Sequence, residues 1–71
     1  MHIGKKIEEE LHRQERTAVW LAQQLHCNRT NVYNIFKRSA IDTEQLEHIS
    51  RILRKDFFAM YSAELKREKS E

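Results

Sequence analysis

The segment TAVWLAQQLHCNRTNVYNIFKR, residues 17–38, decides the fold of this chain, because its apolar side chains are spaced for two short helices that meet at a turn. These apolar residues recur every three or four positions in two sets: Ala18, Leu21, Ala22 and Leu25, then Val32, Ile35 and Phe36. No acidic residue occurs between Thr17 and Ile41, although the chain contains eleven. The segment therefore predicts a helix pair with no carboxylate on its surface, which favours a polyanionic partner.

The limits of the two helices follow from residues that cap helix N-termini. Thr17 predicts a helix that ends near Leu25, and Asn28 predicts a second helix that reaches about Arg38, with a short turn between them. The inner side of the second helix is apolar. Its outer side would then present Arg29, Thr30, Tyr33, Asn34 and Lys37.

The flanking sequence predicts helices on both sides of this pair. Ile3, Ile7 and Leu11 step by four and predict a helix over about residues 3–14, with the glutamates at 8–10 on a solvated surface. Asp42 is a good N-cap for a fourth helix. The buried stripe of this helix would be Leu46, Ile49, Ile52 and Leu53.

A fifth helix is predicted over about residues 57–68, with Asp56 as its cap. We expect the ending KREKSE, residues 66–71, to fray because it has nothing to bury. The chain contains no proline and a single glycine, which argues against tight β turns. At 71 residues it has no room for a second core. We therefore predict an all-α fold, a compact bundle of about five short helices, with residues 1–71 as a single domain.

Several functional classes find no support in the sequence. No apolar run approaches the roughly 20 residues that span a membrane. Cys27 is the only cysteine, which fits a reducing compartment, and we expect a cytoplasmic protein. The four histidines match no zinc spacing, and neither a catalytic triad nor a glycine-rich phosphate loop is visible. We expect no metal, no cofactor, no membrane partner and no enzymatic activity.

Two helices joined by a three- or four-residue turn are the helix-turn-helix pattern. LAxxL at 21–25, the apolar Cys27, the cap Asn28 and VxxIF at 32–36 carry that pattern here, and IDxxxLxxISRIL at 41–53 follows it. Over about residues 3–55 the sequence resembles the phage-repressor-like (Cro/Xre) helix-turn-helix family. The resemblance implies a lambda-repressor-like DNA-binding domain with its motif at 17–38, and a bacterial or mobile-element transcriptional regulator.

The chain departs from the family pattern in two places. The family usually has glycine in the turn, where the backbone often needs a positive φ, whereas this chain has His26. A residue other than glycine can hold that conformation at a cost of roughly 1 kcal/mol. Val19 and Trp20 also replace residues that are usually polar in the family. We expect an unusual outer side of the second helix.

The resemblance implies that the helix over residues 28–38 enters the major groove of double-stranded DNA. Carried over by position, the residues that contact bases are Arg29, Thr30 and Asn34. The residues that contact phosphate are Thr17, Asn31, Tyr33, Lys37, Arg38 and Ser39. Two alternatives stay open: Arg29 contacts a phosphate instead of a base, and Lys37 and Arg38 are ordinary cations at a helix C-terminus.

A second set of residues is aromatic or large and apolar: Trp20, Phe57, Phe58, Met60, Tyr61 and Leu65. This set has three open interpretations. The residues pack within the chain, or they form a homodimer through the C-terminal helix. In the third, they make the chain a helical protein-interaction module or an antitoxin-like partner-binding protein that does not need DNA.

Overall fold

Five helices follow one another in the computed structural model, which describes residues 1–69: α1 Ile3–Arg13, α2 Ala18–Leu25, α3 Arg29–Lys37, α4 Thr43–Leu53 and α5 Phe58–Lys69. The described residues contain no strand, so the predicted all-α fold is confirmed. At most of the helix ends, the observed bound and the predicted bound differ by one residue. Residues 66–69, in the ending that was expected to fray, are helical, and residues 70 and 71 lie outside the described part.

Side-chain caps set where four of the helices begin. In each case a side-chain oxygen accepts a hydrogen bond from the backbone N–H three residues further on, at distances between 2.7 and 3.1 Å. The four capping residues are Thr17, Asn28, Asp42 and Asp56. These bonds satisfy one of the amides that every helix N-terminus leaves without an intrahelical acceptor, so all four predicted caps are confirmed.

The connection between α2 and α3 turns on His26, which has a φ of 56° and a ψ of 43°. This left-handed conformation lets the following amide, that of Cys27, donate to the carbonyl oxygen of Ala22 at 3.0 Å. The geometry closes the C-terminal end of α2 in the manner usual for glycine. The positive φ expected at this position is therefore present, although the side chain is an imidazole.

A single cluster of buried side chains lies between the helices. Its members come from all four of the first helices and from the residue before α5: Ile3, Ile7, Leu11, Leu21, Ala22, Val32, Ile35, Phe36, Leu46, Ile49, Leu53 and Phe57. Ile52, expected in the buried stripe of α4, is only half-buried at its edge. The closest helix pairs are α2 with α3 and α1 with α3, which places α3 against two supporting helices.

The beginning of α1 meets the end of α3. The amide of Ile3 donates to the carbonyl oxygen of Ser39 at 3.2 Å, and that of Gly4 donates to the carbonyl oxygen of Arg38 at 3.0 Å. Amides at a helix start carry partial positive charge, and carbonyls at a helix end carry partial negative charge. The two helix termini therefore satisfy each other, and α1 fixes the backbone where α3 ends.

The only glycine of the chain stands at this junction. A β-carbon at Gly4 would collide with the carbonyl oxygens of Ile35 and Phe36 and would lie 2.6 Å from that of Arg38. These are backbone atoms, which cannot rotate away as a flexible side chain can. The close approach of α1 to α3 therefore depends on a residue with no side chain.

One carboxylate of α1 is buried, which corrects the expectation that residues 8–10 form a solvated surface. Glu10 is 6% exposed, and its oxygens accept hydrogen bonds from Arg13 Nε at 3.0 Å and Gln14 Nε2 at 2.7 Å. The hydrogen bonds from Arg13 chiefly lower the pKa of this carboxyl from 4.5 to about 2, against the opposing effect of burial. Gln14 Nε2 also donates to the carbonyl oxygen of Leu53 at 2.7 Å, so the group ties α1 to the end of α4.

Candidate nucleic-acid interface

The outer face of α3 is the surface on which the functional prediction depends. Its side chains are all exposed: Arg29, Thr30, Tyr33, Asn34 and Lys37. The opposite side of α3 is buried because Val32, Ile35 and Phe36 belong to the core. A helix anchored on one side by three core residues can present the other side as a rigid, solvent-facing surface.

The three residues predicted to contact bases lie on this face within two turns of helix. Arg29 stands at the first position of α3, directly after the Asn28 cap. Thr30 and Asn34 are one turn apart on the exposed side, and their i, i+4 spacing makes them neighbours. Within residues 1–69, none of these three side chains takes part in a hydrogen bond or an ion pair that would occupy it.

The residues predicted to contact phosphate surround these three, and all of them are exposed: Thr17, Asn31, Tyr33, Lys37, Arg38 and Ser39. Thr17 Oγ1 accepts the amide of Trp20 at 3.0 Å and keeps its own hydrogen to donate. It stands at the N-terminus of α2, where unsatisfied amides favour an anion. The backbones of Arg38 and Ser39 are held by the amides of α1.

Tyr33 is the one aromatic residue on this face, and it is 48% exposed. Its ring meets the edge of Phe36 with centroids 6.2 Å apart and an interplanar angle of 71°. Edge-to-face contacts of this kind restrict an aromatic side chain. The part of the Tyr33 ring that is not in contact with Phe36 therefore projects from α3 in a preferred direction.

Some cations of the described chain are paired with carboxylates, but those at or near α3 are not. Lys6 Nζ lies 3.7 Å from Glu9 Oε1 in α1, and Arg51 Nε lies 3.8 Å from Glu47 Oε1 in α4. Three cations at or near α3 take part in no ion pair within residues 1–69: Arg29, Lys37 and Arg38. Within the described chain, no direct ion pair therefore neutralises their positive charge.

A groove of about 680 Å³ runs between α3 and the beginning of α4. One wall contains polar side chains predicted to contact DNA, namely Asn31, Asn34 and Arg38. The other wall carries the carboxylates of Asp42, Glu44 and Glu47. The stretch that lacks acids in sequence is therefore bordered by acids in space, a feature that the linear pattern could not reveal.

Trp20 lies on the outer side of α2, which was expected to be unusual. The indole is half-buried against the core, and the guanidinium carbon of Arg16 lies 4.4 Å from its ring centroid. This is a cation–π contact. Sequence reasoning missed the contact, although an arginine four residues before the tryptophan was a signal for it. Val19, also on this helix, is 44% exposed.

The aromatic and apolar set near the C-terminus divides into buried and exposed members. Phe57 is fully buried in the core, while Trp20, Met60 and Tyr61 are half-buried against it. Phe58 is 38% exposed and Leu65 is 60% exposed. Internal packing therefore accounts for Phe57, whereas Phe58 and Leu65 remain available on the surface.

Other kinds of site have little to rest on in the described residues. No group of three or more histidine, cysteine, aspartate or glutamate side chains within residues 1–69 is placed to hold a metal ion. Cys27 is half-buried at the edge of the core. None of the five helices described has the length and apolar character needed to cross a membrane.

In comparisons with known proteins, no family model matches the chain, and neither the curated proteins nor the solved structures yield a match. The case for a function therefore depends on the residues of this chain and on their arrangement.

Proposed function

We propose that this protein is a sequence-specific DNA-binding protein that acts as a transcriptional regulator, with α3 as its recognition helix. In this proposal the fold is the lambda-repressor-like bundle of the Cro/Xre family, and residues 17–38 are its helix-turn-helix. The observation that carries the proposal is the outer face of α3. That face is exposed, rich in hydrogen-bond donors, flanked by unpaired cations and free of carboxylates.

Base recognition would come from the first two turns of α3. The major groove of B-DNA is about 12 Å wide and admits a helix, and its base edges offer distinct patterns of donors and acceptors. Arg29 would donate twice to guanine O6 and N7, and Asn34 would pair with adenine N6 and N7. Thr30 would use its hydroxyl or press its methyl group on thymine.

Contacts to the phosphates would fix the position of α3 without reading sequence. Thr17 and the first amides of α2 suit a phosphate on one side of the groove. Lys37 and Arg38 follow the far end of α3, with Tyr33, Asn31 and Ser39 near them. Because α1 holds the backbone at residues 38 and 39, these side chains start from a fixed point.

The proposed mechanism is occupancy of a DNA site, which blocks or recruits RNA polymerase and requires no catalytic group. The concentration of the protein, or its association with a partner, would then decide how much of the site is filled.

The test is a selection of binding sites from random DNA, followed by affinity measurements on the selected site at several salt concentrations. The logarithm of the binding constant should fall linearly with the logarithm of salt concentration, with a slope of about −0.9 for each phosphate neutralised. Selection of a defined sequence, with a steep slope, supports the proposal. No binding at low salt would refute it.

A helical protein-interaction module is the second candidate, and the exposure of Phe58 and Leu65 favours it. Large exposed apolar side chains of this kind are typical anchors of protein interfaces. The salt experiment distinguishes the two candidates, because a protein-interaction module is not expected to bind duplex DNA.

A further inference from the structure

Arg16 and Trp20 form a pair of side chains at the outer side of α2. In the family that the sequence resembles, the position of Trp20 is usually polar, whereas here it is an indole. The indole is half-buried against the core, and the guanidinium carbon of Arg16 lies over its ring, 4.4 Å from the centroid. A ring that is packed against the core on one side can serve as a fixed platform on the other.

The backbone of Arg16 is fixed between α1 and α2. Its amide donates to the carbonyl oxygen of Leu11 at 3.0 Å, and the residue before it, Glu15, has a φ of 58°. The residue after it, Thr17, caps α2 by accepting the amide of Trp20 at 3.0 Å. The side chain of Arg16 therefore starts from a defined point of the backbone and lies against a defined ring.

The guanidinium of Arg16 keeps its charge and its hydrogen-bond donors available. The side chain is exposed, and within residues 1–69 it takes part in no ion pair and no hydrogen bond. A cation–π contact depends on the attraction between the cation and the ring face, and it does not use up the five N–H donors. Arg13 differs, because its Nε and its terminal nitrogen both donate to Glu10.

We propose that Arg16 is a further phosphate contact of the DNA interface and that Trp20 is the residue that positions it. This inference rests on the proposed function, which places a phosphate at Thr17. The Cα atoms of adjacent residues are about 3.8 Å apart, so a phosphate held by Thr17 lies within reach of the long side chain of Arg16. The guanidinium suits such a phosphate because it can donate two parallel hydrogen bonds to its oxygens.

Trp20 contributes by reducing the entropy that Arg16 loses when DNA binds. A freely moving arginine side chain loses rotamer freedom when it is held in one geometry. The contact with the indole already restricts Arg16 in the free protein, so less freedom is lost on binding. Phosphates carry no sequence information, and the contribution of this pair is therefore the same on every duplex.

The first experiment measures affinity for the selected site and for random duplex DNA across a range of salt concentrations. Arg16→Ala should weaken binding to both DNAs alike and reduce the salt slope by about one unit. One lost phosphate contact corresponds to roughly an eightfold loss of affinity at 0.1 M salt, and the loss should shrink towards 1 M salt. Arg16→Lys keeps the positive charge and should recover part of the loss.

The matched control for this experiment is Lys66→Ala. It removes an exposed cation of α5, which lies outside the proposed interface, and it should leave the salt slope unchanged. If Lys66→Ala lowers the slope as much as Arg16→Ala does, the effect is one of net charge, and the proposed contact is overturned.

The second experiment asks whether Trp20 acts through Arg16. Trp20→Leu removes the ring face and should weaken DNA binding several-fold, whereas Trp20→Phe keeps a ring face and should weaken it less. Both variants keep an apolar side chain against the core, and circular dichroism checks that the helices remain. In the Trp20→Leu background, Arg16→Ala should cost less affinity than it does in the wild type, because the positioning is already lost. Losses that simply add would overturn the positioning role.

The contact itself can be measured without DNA, because Trp20 is the only tryptophan of the chain and the sole source of tryptophan emission. Arg16→Ala should uncover the ring and increase the quenching of this emission by acrylamide. Arg16→Lys should increase it less. Quenching that is the same in Arg16→Ala and in the wild type would show that the contact is not formed in solution, and would overturn the positioning role.

Failure of this inference is distinguishable from failure of the proposed function. If the wild type binds DNA and Arg16→Ala has an unchanged salt slope, the contact at Arg16 is overturned and the DNA-binding function stands. If the wild type binds no DNA at low salt, both are overturned. A loss confined to the selected site would make Arg16 a base contact, which also overturns its role at a phosphate.

Discussion

Helices α1 and α3 both bury an apolar stripe and present charged side chains, but they use those charges differently. In α1 two of the cations are held by neighbouring carboxylates, Lys6 by Glu9 and Arg13 by Glu10. In α3 the cation Lys37 has no carboxylate partner among residues 1–69. The paired charges of α1 thus serve the folded chain itself, whereas Lys37 of α3 is available to something outside it.

The two helices are also physically joined, because the first amides of α1 bind the last carbonyls of α3. A recognition surface must hold its side chains in place before the ligand arrives. In the proposed function, α1 would support this surface and α3 would bind the DNA. Substitutions in each helix can test that division, since they should alter different measurements.

The largest effect is expected for Gly4→Ala. Alanine normally stabilises a helix relative to glycine by about 0.5–1 kcal/mol, but here its β-carbon would collide with backbone carbonyls of α3. The free energy of unfolding should fall by about 3 kcal/mol or more, as measured by urea denaturation. Lys5→Ala, at the exposed neighbouring position, is the control. If Gly4→Ala instead raises the free energy of unfolding, the beginning of α1 lies less close to the end of α3 than described.

Asn34→Ala should leave stability almost unchanged and weaken binding to the selected DNA site by about 1–3 kcal/mol, since one bidentate base contact is lost. Affinity for random duplex DNA should stay the same. Thr30→Ala should behave in the same direction. Fluorescence anisotropy on the two DNAs measures the difference, and equal losses on both would remove these residues from the base-reading set.

Acid should lower the free energy of unfolding through Glu10, a residue of α1. The pKa of Glu10 is lowered from 4.5 to about 2 in the folded protein. Its ionised form therefore stabilises the native state above about pH 4.5, and this contribution is lost as the pH falls towards 2. Urea midpoints measured across this range should decline less steeply for Glu10→Gln than for the wild type. Glu9→Gln, an exposed neighbour, should decline as the wild type does.

The matched pair Lys37→Ala and Lys6→Ala compares the two helices directly. Loss of Lys37 should weaken binding to all DNA alike and reduce the salt slope by about one unit, because one phosphate contact is removed. Loss of Lys6, whose Nζ lies 3.7 Å from Glu9 Oε1, should leave that slope unchanged. If the two variants behave identically, the contrast between α1 and α3 has no functional meaning.

The smallest expected change is a gain. Glu44 is exposed and shares a groove with Asn34 and Arg38, so its carboxylate would repel a nearby phosphate. Glu44→Gln should raise DNA affinity about twofold at low salt, and less at high salt because exposed charges are screened. An affinity that does not change with this substitution would place the DNA further from α4 than we propose.

Much of the fold could be predicted because its signals are local. Caps such as Thr17 and Asn28 act on amides three residues away, and apolar spacing needs only one turn of helix. The left-handed turn at His26 was also predictable from its position in the motif. The burial of Glu10 was not, because it depends on Gln14 reaching the end of α4.

The candidate site shows the same limit. The residues of the outer face of α3 follow from helical spacing, and the structure leaves all of them exposed. The partners around that face come from distant parts of the chain. Glu44 lines the same groove as Asn34 and Arg38, an arrangement that depends on how α3 and α4 are packed together.

By itself, the sequence determined the helices, their caps, the inner and outer sides of α3, and the absence of acids between residues 17 and 41. These features follow from interactions between residues that are close in sequence, and such interactions do not depend on how the helices pack. Only the tertiary structure decided that Gly4 lies against the end of α3, that carboxylates at the beginning of α4 border the outer face of α3, and that Leu65 is exposed while Phe57 is not. Those features require segments far apart in the chain to meet, and a periodic pattern contains no information about which segments will do so.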